Sequence, residues 1–410
     1  MTLRATKRLF IIMPAQNRGG VEAHGLVVGA AAQRLGWQVE VGFPKLPGTQ
    51  RLADDFESAS VRYQPLAIGE TEVRAAATLS ELIKTSPVRL RAWIEKPWQF
   101  IRVLVCLLRW RSRSPNVARA EVVLINLPWA DKGFTSLLAC ALLNQPVAVV
   151  FHLIPWQLDF PRWKRWVYRW MRRRNQVWIG IAENNQQLIS LSFNCPAKAI
   201  ACIYNGVSLP ERATVDCAKP RQRLRTELAL SNDSFILLTV ARLDAQKGHD
   251  YLIPAIPHLI RQFPKIRFVW VGSGEQQASL EAQLIDYGVR SSVSFLGYRQ
   301  DISELLRAAD LFVFPTYFEG FPFALLEAMA HGLPVVSASV NGIPEIIEHQ
   351  THGLLTRKGD SCDLLESLRW ALNNPEAMQK MAERAALRVR DFSQEKMVAE
   401  TLSLLEKMGE

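Results

Sequence analysis

The six cysteines of this chain stand singly, and no Cys-x-x-Cys pair occurs. A zinc knuckle or a thioredoxin-type redox site therefore has no spacing to rest on, and scattered single thiols fit a reducing compartment. Charge is modest at 21% and apolar residues reach 49%, the balance of a folded globular chain rather than a disordered one. Collagen, coiled coil and disulfide scaffold are excluded by the same composition. Long apolar runs are scarce. Leu9 to Pro14 is shorter than a signal h-region and enters a Gly-rich turn, so no export signal is expected. Gly133 to Phe151 runs for nineteen residues without a formal charge, but Asn144-Gln145-Pro146 interrupts it. Helix, turn and buried strand are expected there rather than a membrane span.

At 410 residues the chain exceeds one ordinary core, and two domains are expected. The net charge of +10 is unevenly shared. Residues 1–210 hold 27 Lys+Arg against 13 Asp+Glu, net +14, and residues 211–410 hold 22 against 26, net −4. The basic half attracts anions: phosphorylated small molecules, an acidic membrane face or nucleic acid.

Apolar periodicity gives each half the same plan. Arg8 to Met13 reads as a buried strand, Gly19-Gly20 as a turn, Val21 to Leu35 as a helix and Gln38 to Phe43 as a second strand. Further strands are expected at Val122 to Leu127, Val147 to His152, Val177 to Ala182 and Ala199 to Tyr204. The second half repeats the scheme with strands Phe235 to Ala241, Ile266 to Val271, Val293 to Leu296, Leu311 to Phe314 and Pro334 to Ser337, and closes in helices from Ser361 to Met408. The fold class is therefore α/β, with two Rossmann-like, doubly wound parallel-sheet domains facing a central cleft. The first domain is expected over 1–210 and the second over 211–390, with a closing helix over 391–410 that packs back on the first domain. The boundary falls between Gly206 and Pro220, where Asn-Gly, proline and polar residues break the pattern.

The most informative stretch is FEGFPFALLEAMAHGLPVV, Phe318 to Val336, with Glu319 and Glu327 eight positions apart. Glu319 sits in a Gly/Pro turn after a strand. Glu327 sits on a helix opened by Pro322, a favourable first-turn residue. A carboxylate among Ala324, Leu325, Leu326, Ala328 and Met329 needs a partner, and a ligand hydroxyl can be one. Arg242 and Lys247 end a strand and open a helix, so two cations and a helix N-terminus converge on one place. Gly272-Ser273-Gly274 is read either as a strand-to-helix turn or as a nucleotide contact.

The E-x7-E pair, with Gly342-Ile-Pro-Glu-Ile-Ile347 and His352-Gly353-Leu354-Leu355, resembles the signature of the retaining family 4 glycosyltransferases of GT-B fold. Pro14 to His24 resembles their first glycine loop, Tyr204-Asn205-Gly206-Val207 their pre-linker strand, and Ala241-Arg242-Leu243 through Lys247-Gly248 their diphosphate clamp. The similarity is weakest over 45–120. It implies that Glu319 contacts the hydroxyls of a transferred sugar and Glu327 a nucleotide ribose. The amides of Phe323 and Ala324 would also hold the sugar, and Gly19, Gly20, Gly272 and Gly274 would line the donor site. Arg242 and Lys247 would stabilise the leaving phosphate without a metal or other cofactor, and His152 would sit near the reacting sugar. His24 and Glu345 are further cleft candidates. Glu183 and Asn341 depart from the family pattern, which has a small hydroxyl residue and a glycine there.

Two segments combine cations with tryptophan. Arg162 to Arg174 has seven Lys/Arg, no acids and Trp163, Trp166 and Trp170. Arg89 to Arg113 has seven Lys/Arg, one acid and Trp93, Trp98 and Trp110. At helical spacing Trp163, Trp166, Val167 and Trp170 fall on one face and Arg162, Arg165, Arg169 and Arg172 on a separate one. Either the tryptophans pack on the sheet, or the helix adsorbs to anionic lipid. Nucleic acid is disfavoured because no base-reading module accompanies the charge. The expectation is a cytoplasmic hexosyltransferase, peripheral to a membrane, that uses a nucleotide sugar and a glycan or lipid-linked acceptor. Alternatives on the same fold are a sugar-nucleotide epimerase, a phosphorylase, whose pyridoxal-binding lysine is not identifiable, or a silent carbohydrate-binding protein.

Overall fold

The structure, a computed structural model, describes residues 7–14, 19–66, 88–112, 121–210 and 217–409. Two compact units are present: Met1–Tyr204 with Met397–Glu410, and Asn205–Lys396.

The first unit holds seven parallel strands: β1 (Arg8–Ile12), β2 (Gln38–Phe43), β3 (Arg62–Pro65), β4 (Glu121–Leu127), β5 (Val147–Phe151), β6 (Gln176–Gly180) and β7 (Ile200–Cys202). Their order is β3-β2-β1-β4-β5-β6-β7. Every residue of β1 and β5 is buried, as a parallel sheet covered on both faces requires. Phe10, Ile12, Val123, Ile125, Val149 and Trp178 share one core with residues of the helices Phe134–Leu142, Arg162–Arg172 and Glu183–Phe193. The helix Val88–Ser112 docks on that face through Trp110, which stacks on Phe10 at 5.5 Å and lies 4.7 Å from the buried Arg8 guanidinium. The closing helix Gln394–Gly409 joins this unit from Met397 onward, and Lys7 donates to Glu406 at 2.5 Å.

The second unit has six parallel strands: β8 (Phe235–Val240), β9 (Ile266–Val271), β10 (Val293–Phe295), β11 (Leu311–Phe314), β12 (Val335–Ala338) and β13 (Leu354–Thr356), ordered β10-β9-β8-β11-β12-β13. In each sheet the strand order reverses once, between β1 and β4 and between β8 and β11. That reversal opens a crevice at the carboxyl ends of the strands, where open α/β sheets bind ligands. The helical segment after Gly248 is broken into His249–Leu252, a 3₁₀ turn Ile253–Ala255 and Ile256–Gln262. Pro254 and Pro257 lack the amide protons a continuous helix needs. Gly133 to Phe151 is a helix, Phe134–Leu142, followed by a turn and β5. No helix among the described residues is long and apolar enough to cross a membrane.

The basic helix Arg162–Arg172 differs from the expected division into faces. Its buried residues are Tyr168 and Met171. Tyr168 packs against Phe193 at 4.6 Å and Phe160 at 5.5 Å. With these two claiming the inner face, Trp163 and Trp166 are turned out, 63% and 62% exposed. They share the solvent side with the exposed Arg162, Arg169 and Arg173. The side chains of Trp93 and Trp98, and Arg113, lie outside the described residues.

Candidate functional site

In the second unit β8 runs into Ala241-Arg242-Leu243-Asp244 and the 3₁₀ turn Ala245–Lys247, while β11 runs into Pro315 to Pro322. These are the two strands at the crossover point, and their loops meet. Gly248 makes the approach possible: its φ is +66°, and a Cβ there would lie 1.7 Å from the Pro315 carbonyl oxygen. Gln246 ties the loops together by donating its side-chain amide to the Phe318 carbonyl at 2.8 Å and accepting the Tyr317 amide on its own carbonyl at 2.8 Å.

The result is a compact polar cluster. Lys247 Nζ donates to Glu319 Oε1 at 2.6 Å, and the Thr316 hydroxyl donates to the same oxygen at 2.9 Å. The Lys247 and Glu319 side chains are only 14% and 8% exposed. Arg242 pairs with Asp244 at 2.9 Å and keeps 60% of its side chain in solvent. It is the exposed cation of the pair, and Lys247 the buried one. Asn341 accepts the Glu319 amide at 3.3 Å. It does so from a left-handed backbone, φ +43°, a conformation asparagine tolerates and the family's usual glycine takes freely.

Glu327 lies on the helix Phe323–Ala330, whose N-cap is Pro322. Its carboxylate has no cationic partner among the described residues, and burial pushes it up to about 7. The first amides of that helix, at Phe323 and Ala324, precede any intrahelical acceptor. Phe321, just before it, packs on Phe392 at 5.0 Å, and its carbonyl accepts the buried Asn205 side chain at 2.9 Å. Asn205-Gly206 therefore supports the site loop. Gly206 itself is required by the neighbouring backbone, since a Cβ would lie 2.2 Å from the Ser393 carbonyl oxygen. Gly272 and Gly274 are packed in the same way against Ala241 and Leu243, whose carbonyl oxygens would lie 2.0 and 2.2 Å from added Cβ atoms. They shape the loop that carries Arg242.

In the first unit His152 follows β5, and its amide donates to the Leu127 carbonyl at 3.0 Å. The ring is buried. Its Nε2 is 3.0 Å from Asn126 Oδ1, and the His24 ring meets it edge-on at a 5.0 Å centroid distance. Burial holds His152 well below the usual histidine value and His24 down at about 4, so both are neutral at pH 7. Gly20 opens the helix Gly20–Arg34, and Gly19 caps it with an extended φ of −154° that any residue can adopt. Residues 15–18 of the expected glycine loop lie outside the described residues. Sequence reasoning missed Thr316, Gln246 and Asn126. Asn126 carries the one usable signal, an amide within the apolar run Val122 to Leu127.

Chemically, the second-unit cluster offers two cations and two free helix amides for an anion, and two carboxylates for hydroxyl groups. The Glycosyltransferase Family 4 model matches residues 18–210 and the Glycosyl transferases group 1 model residues 220–388. An uncharacterized glycosyltransferase of Methanocaldococcus jannaschii is 34% identical over 43% of this chain and 45% of its own length. A UDP-Gal:alpha-D-GlcNAc-diphosphoundecaprenol alpha-1,3-galactosyltransferase of Escherichia coli is 32% identical over 41% of this chain and 44% of its own. The chain spans about half the length of the curated relatives it matches. Among solved structures, Anabaena HepE in complex with UDP-glucose superposes with a TM-score of 0.72 at 21% identity, covering 97% of this chain and 99% of that one. With one family model on each unit and the fold shared over nearly the whole length, the chain belongs to the family 4 glycosyltransferases of GT-B fold.

Proposed function

We propose that this protein is a retaining glycosyltransferase that moves a hexose from a nucleotide diphosphate sugar to a glycan or lipid-linked acceptor. The observation that carries the reading is the Lys247–Glu319–Thr316 cluster beside Arg242 at the β8/β11 crossover. Arg242 and Lys247 receive the diphosphate, Glu319 and the amides of Phe323 and Ala324 hold the sugar, and Glu327 accepts from the ribose hydroxyls. Gly272 and Gly274 shape the donor loop, and Gly19, Gly20 and His152 are the first unit's proposed contributions to donor binding, His152 toward the sugar. UDP-sugars are named with the E. coli relative and the HepE structure, which favours a uridine donor.

In the reaction the bond from the anomeric carbon to the β-phosphate oxygen breaks, and its electron pair stays on that oxygen. Fixed cations stabilise the charge as it develops. The acceptor hydroxyl bonds to the same face of the anomeric carbon and gives its proton to the departing phosphate oxygen, so configuration is kept. NMR of the product tests this directly: the linkage should carry the donor's anomeric configuration, and an inverted linkage would exclude the mechanism.

The enzyme is also proposed to work at an anionic membrane face on the cytoplasmic side. The exposed Trp163 and Trp166 interleaved with Arg162, Arg169 and Arg173 support this, since such a helix places aromatic rings at headgroup level and cations near lipid phosphates.

A further inference from the structure

Asn126 is fully buried at the end of β4, the strand at the first unit's crossover point. Ile125 and Leu127 on either side of it belong to the core on one face of the sheet. Alternation along the strand therefore sends Asn126 to the opposite face, beneath the helix Gly20–Arg34. That helix makes room for it at Gly25, where a Cβ would come within 3.2 Å of Asn126 Nδ2 and 2.5 Å of Met13 Sδ. The residue just before it is the buried His24, whose ring lies edge-on to His152 at 5.0 Å. Three buried polar side chains from β4, the end of β5 and a helix thus form one cluster. His24 Nδ1 and Asn126 Nδ2 have no hydrogen-bond partner among the described residues.

We propose that Asn126 is a positioning residue that fixes the tautomer of His152. With Nδ2 turned toward Gly25, Asn126 presents its Oδ1 to His152 Nε2 at 3.0 Å, and an amide oxygen only accepts, so this orientation puts the proton of His152 on Nε2. In a neutral imidazole the other nitrogen, Nδ1, then carries the lone pair. His152 is consequently a hydrogen-bond acceptor toward a ligand, suited to a sugar hydroxyl, and not a proton donor. His24 packs against the ring and restricts its tilt. The inference deepens the proposed function, because it rests on His152 serving the sugar.

The test is a long-range ¹H–¹⁵N spectrum of the histidine side chains in the full chain without any sugar nucleotide. Wild type should show His152 protonated on Nε2 only. Asn126→Leu, of similar size but with no acceptor, should give a mixture of tautomers, and Asn126→Asp, which keeps an acceptor oxygen, should restore the proton on Nε2. A wild-type ring protonated on Nδ1, or an unchanged tautomer in Asn126→Leu, would overturn the proposal. Should Asn126→Leu fail to fold, the wild-type tautomer and Asn126→Asp still decide. The spectrum needs no donor, so a wrong tautomer and a failure to transfer sugar are read separately.

Discussion

Lys247 and Glu319 reach each other across 72 positions of sequence and are both nearly buried. A pair removed from water this far is costly to break from one side, because the surviving charge stays behind without a partner. Glu319→Ala should therefore lower stability by about 3 kcal/mol in urea unfolding as well as abolish transfer. Glu319→Gln, which keeps the shape and an acceptor, should lose transfer by on the order of 10²-fold or more. Combining it with Lys247→Met should cost less than the two single changes added, since each removes the same interaction. Strict additivity would mean that the pair does not act as a unit. Glu327 makes a second test at this scale. With its carboxyl pushed up to about 7, it is largely neutral at pH 6 and ionised at pH 8. If the carboxylate accepts from a ribose, titration calorimetry should show nucleotide affinity rising through that window, and Glu327→Gln should flatten the rise. Affinity independent of pH in wild type would remove Glu327 from the ribose contact.

At the scale of elements, much of the plan was legible because parallel strands buried on both faces are uninterrupted apolar runs, as in Leu9 to Ile12 and Val147 to Phe151. The two strands that went unread lie at sheet edges: Arg62–Pro65 has no buried residue and no apolar run, and Leu354–Thr356 shows only the apolar pair Leu354-Leu355. The E-x7-E spacing singled out Glu319 and Glu327 as candidates, and the structure puts the first in the Lys247 cluster and the second, its carboxyl raised by burial, on the helix Phe323–Ala330. Thr316, Gln246 and Asn126 did not stand out, since a lone hydroxyl or amide gains its role only from loops that meet in space. The face of the basic helix was likewise undecidable from spacing, because tryptophan, tyrosine and methionine compete for burial, and here Tyr168 and Met171 take it. Its exposed stripe predicts adsorption to anionic vesicles that weakens with salt, as charges farther apart than roughly 8 Å are screened at physiological ionic strength. Replacing Arg162, Arg169 and Arg173 by Glu should release the protein in vesicle sedimentation, each cation contributing about 1 kcal/mol. Equal binding to neutral and anionic vesicles would contradict that role.

Over the whole molecule, His24, His152 and His249 are buried and neutral, with His24 lowered to about 4 and His249 to about 3, in each case chiefly by burial. Below pH 6.5 the unfolded chain takes up protons that these rings cannot accept, so stability present above that pH is lost as pH falls toward those values. Each ring contributes a slope of up to about 1.4 kcal/mol per pH unit. Glu327 acts with the opposite sign, binding its proton more tightly when folded and so costing stability as pH rises through about 7. Thermal unfolding from pH 7 to 5 should show a falling apparent Tm, and His249→Phe should make the fall shallower. A flat profile would mean that the three rings are not buried together with the folded state.

The charge division, net +14 over residues 1–210 and −4 over 211–410, puts the proposed diphosphate clamp, Arg242 and Lys247, in the half of slight net negative charge. Binding of a diphosphate sugar there must depend on those two side chains rather than on the field of the whole half. The measurement that tests this most directly is a thermal-shift titration of a panel of UDP-, GDP- and ADP-sugars against wild type and Arg242→Ala. A ligand at about 100 times its Kd adds about 2.7 kcal/mol to stability. One base should raise the apparent Tm of wild type in proportion to its affinity, and Arg242→Ala should lose that shift while keeping its ligand-free Tm. No shift with any diphosphate sugar, or an equal shift in the variant, would contradict the account.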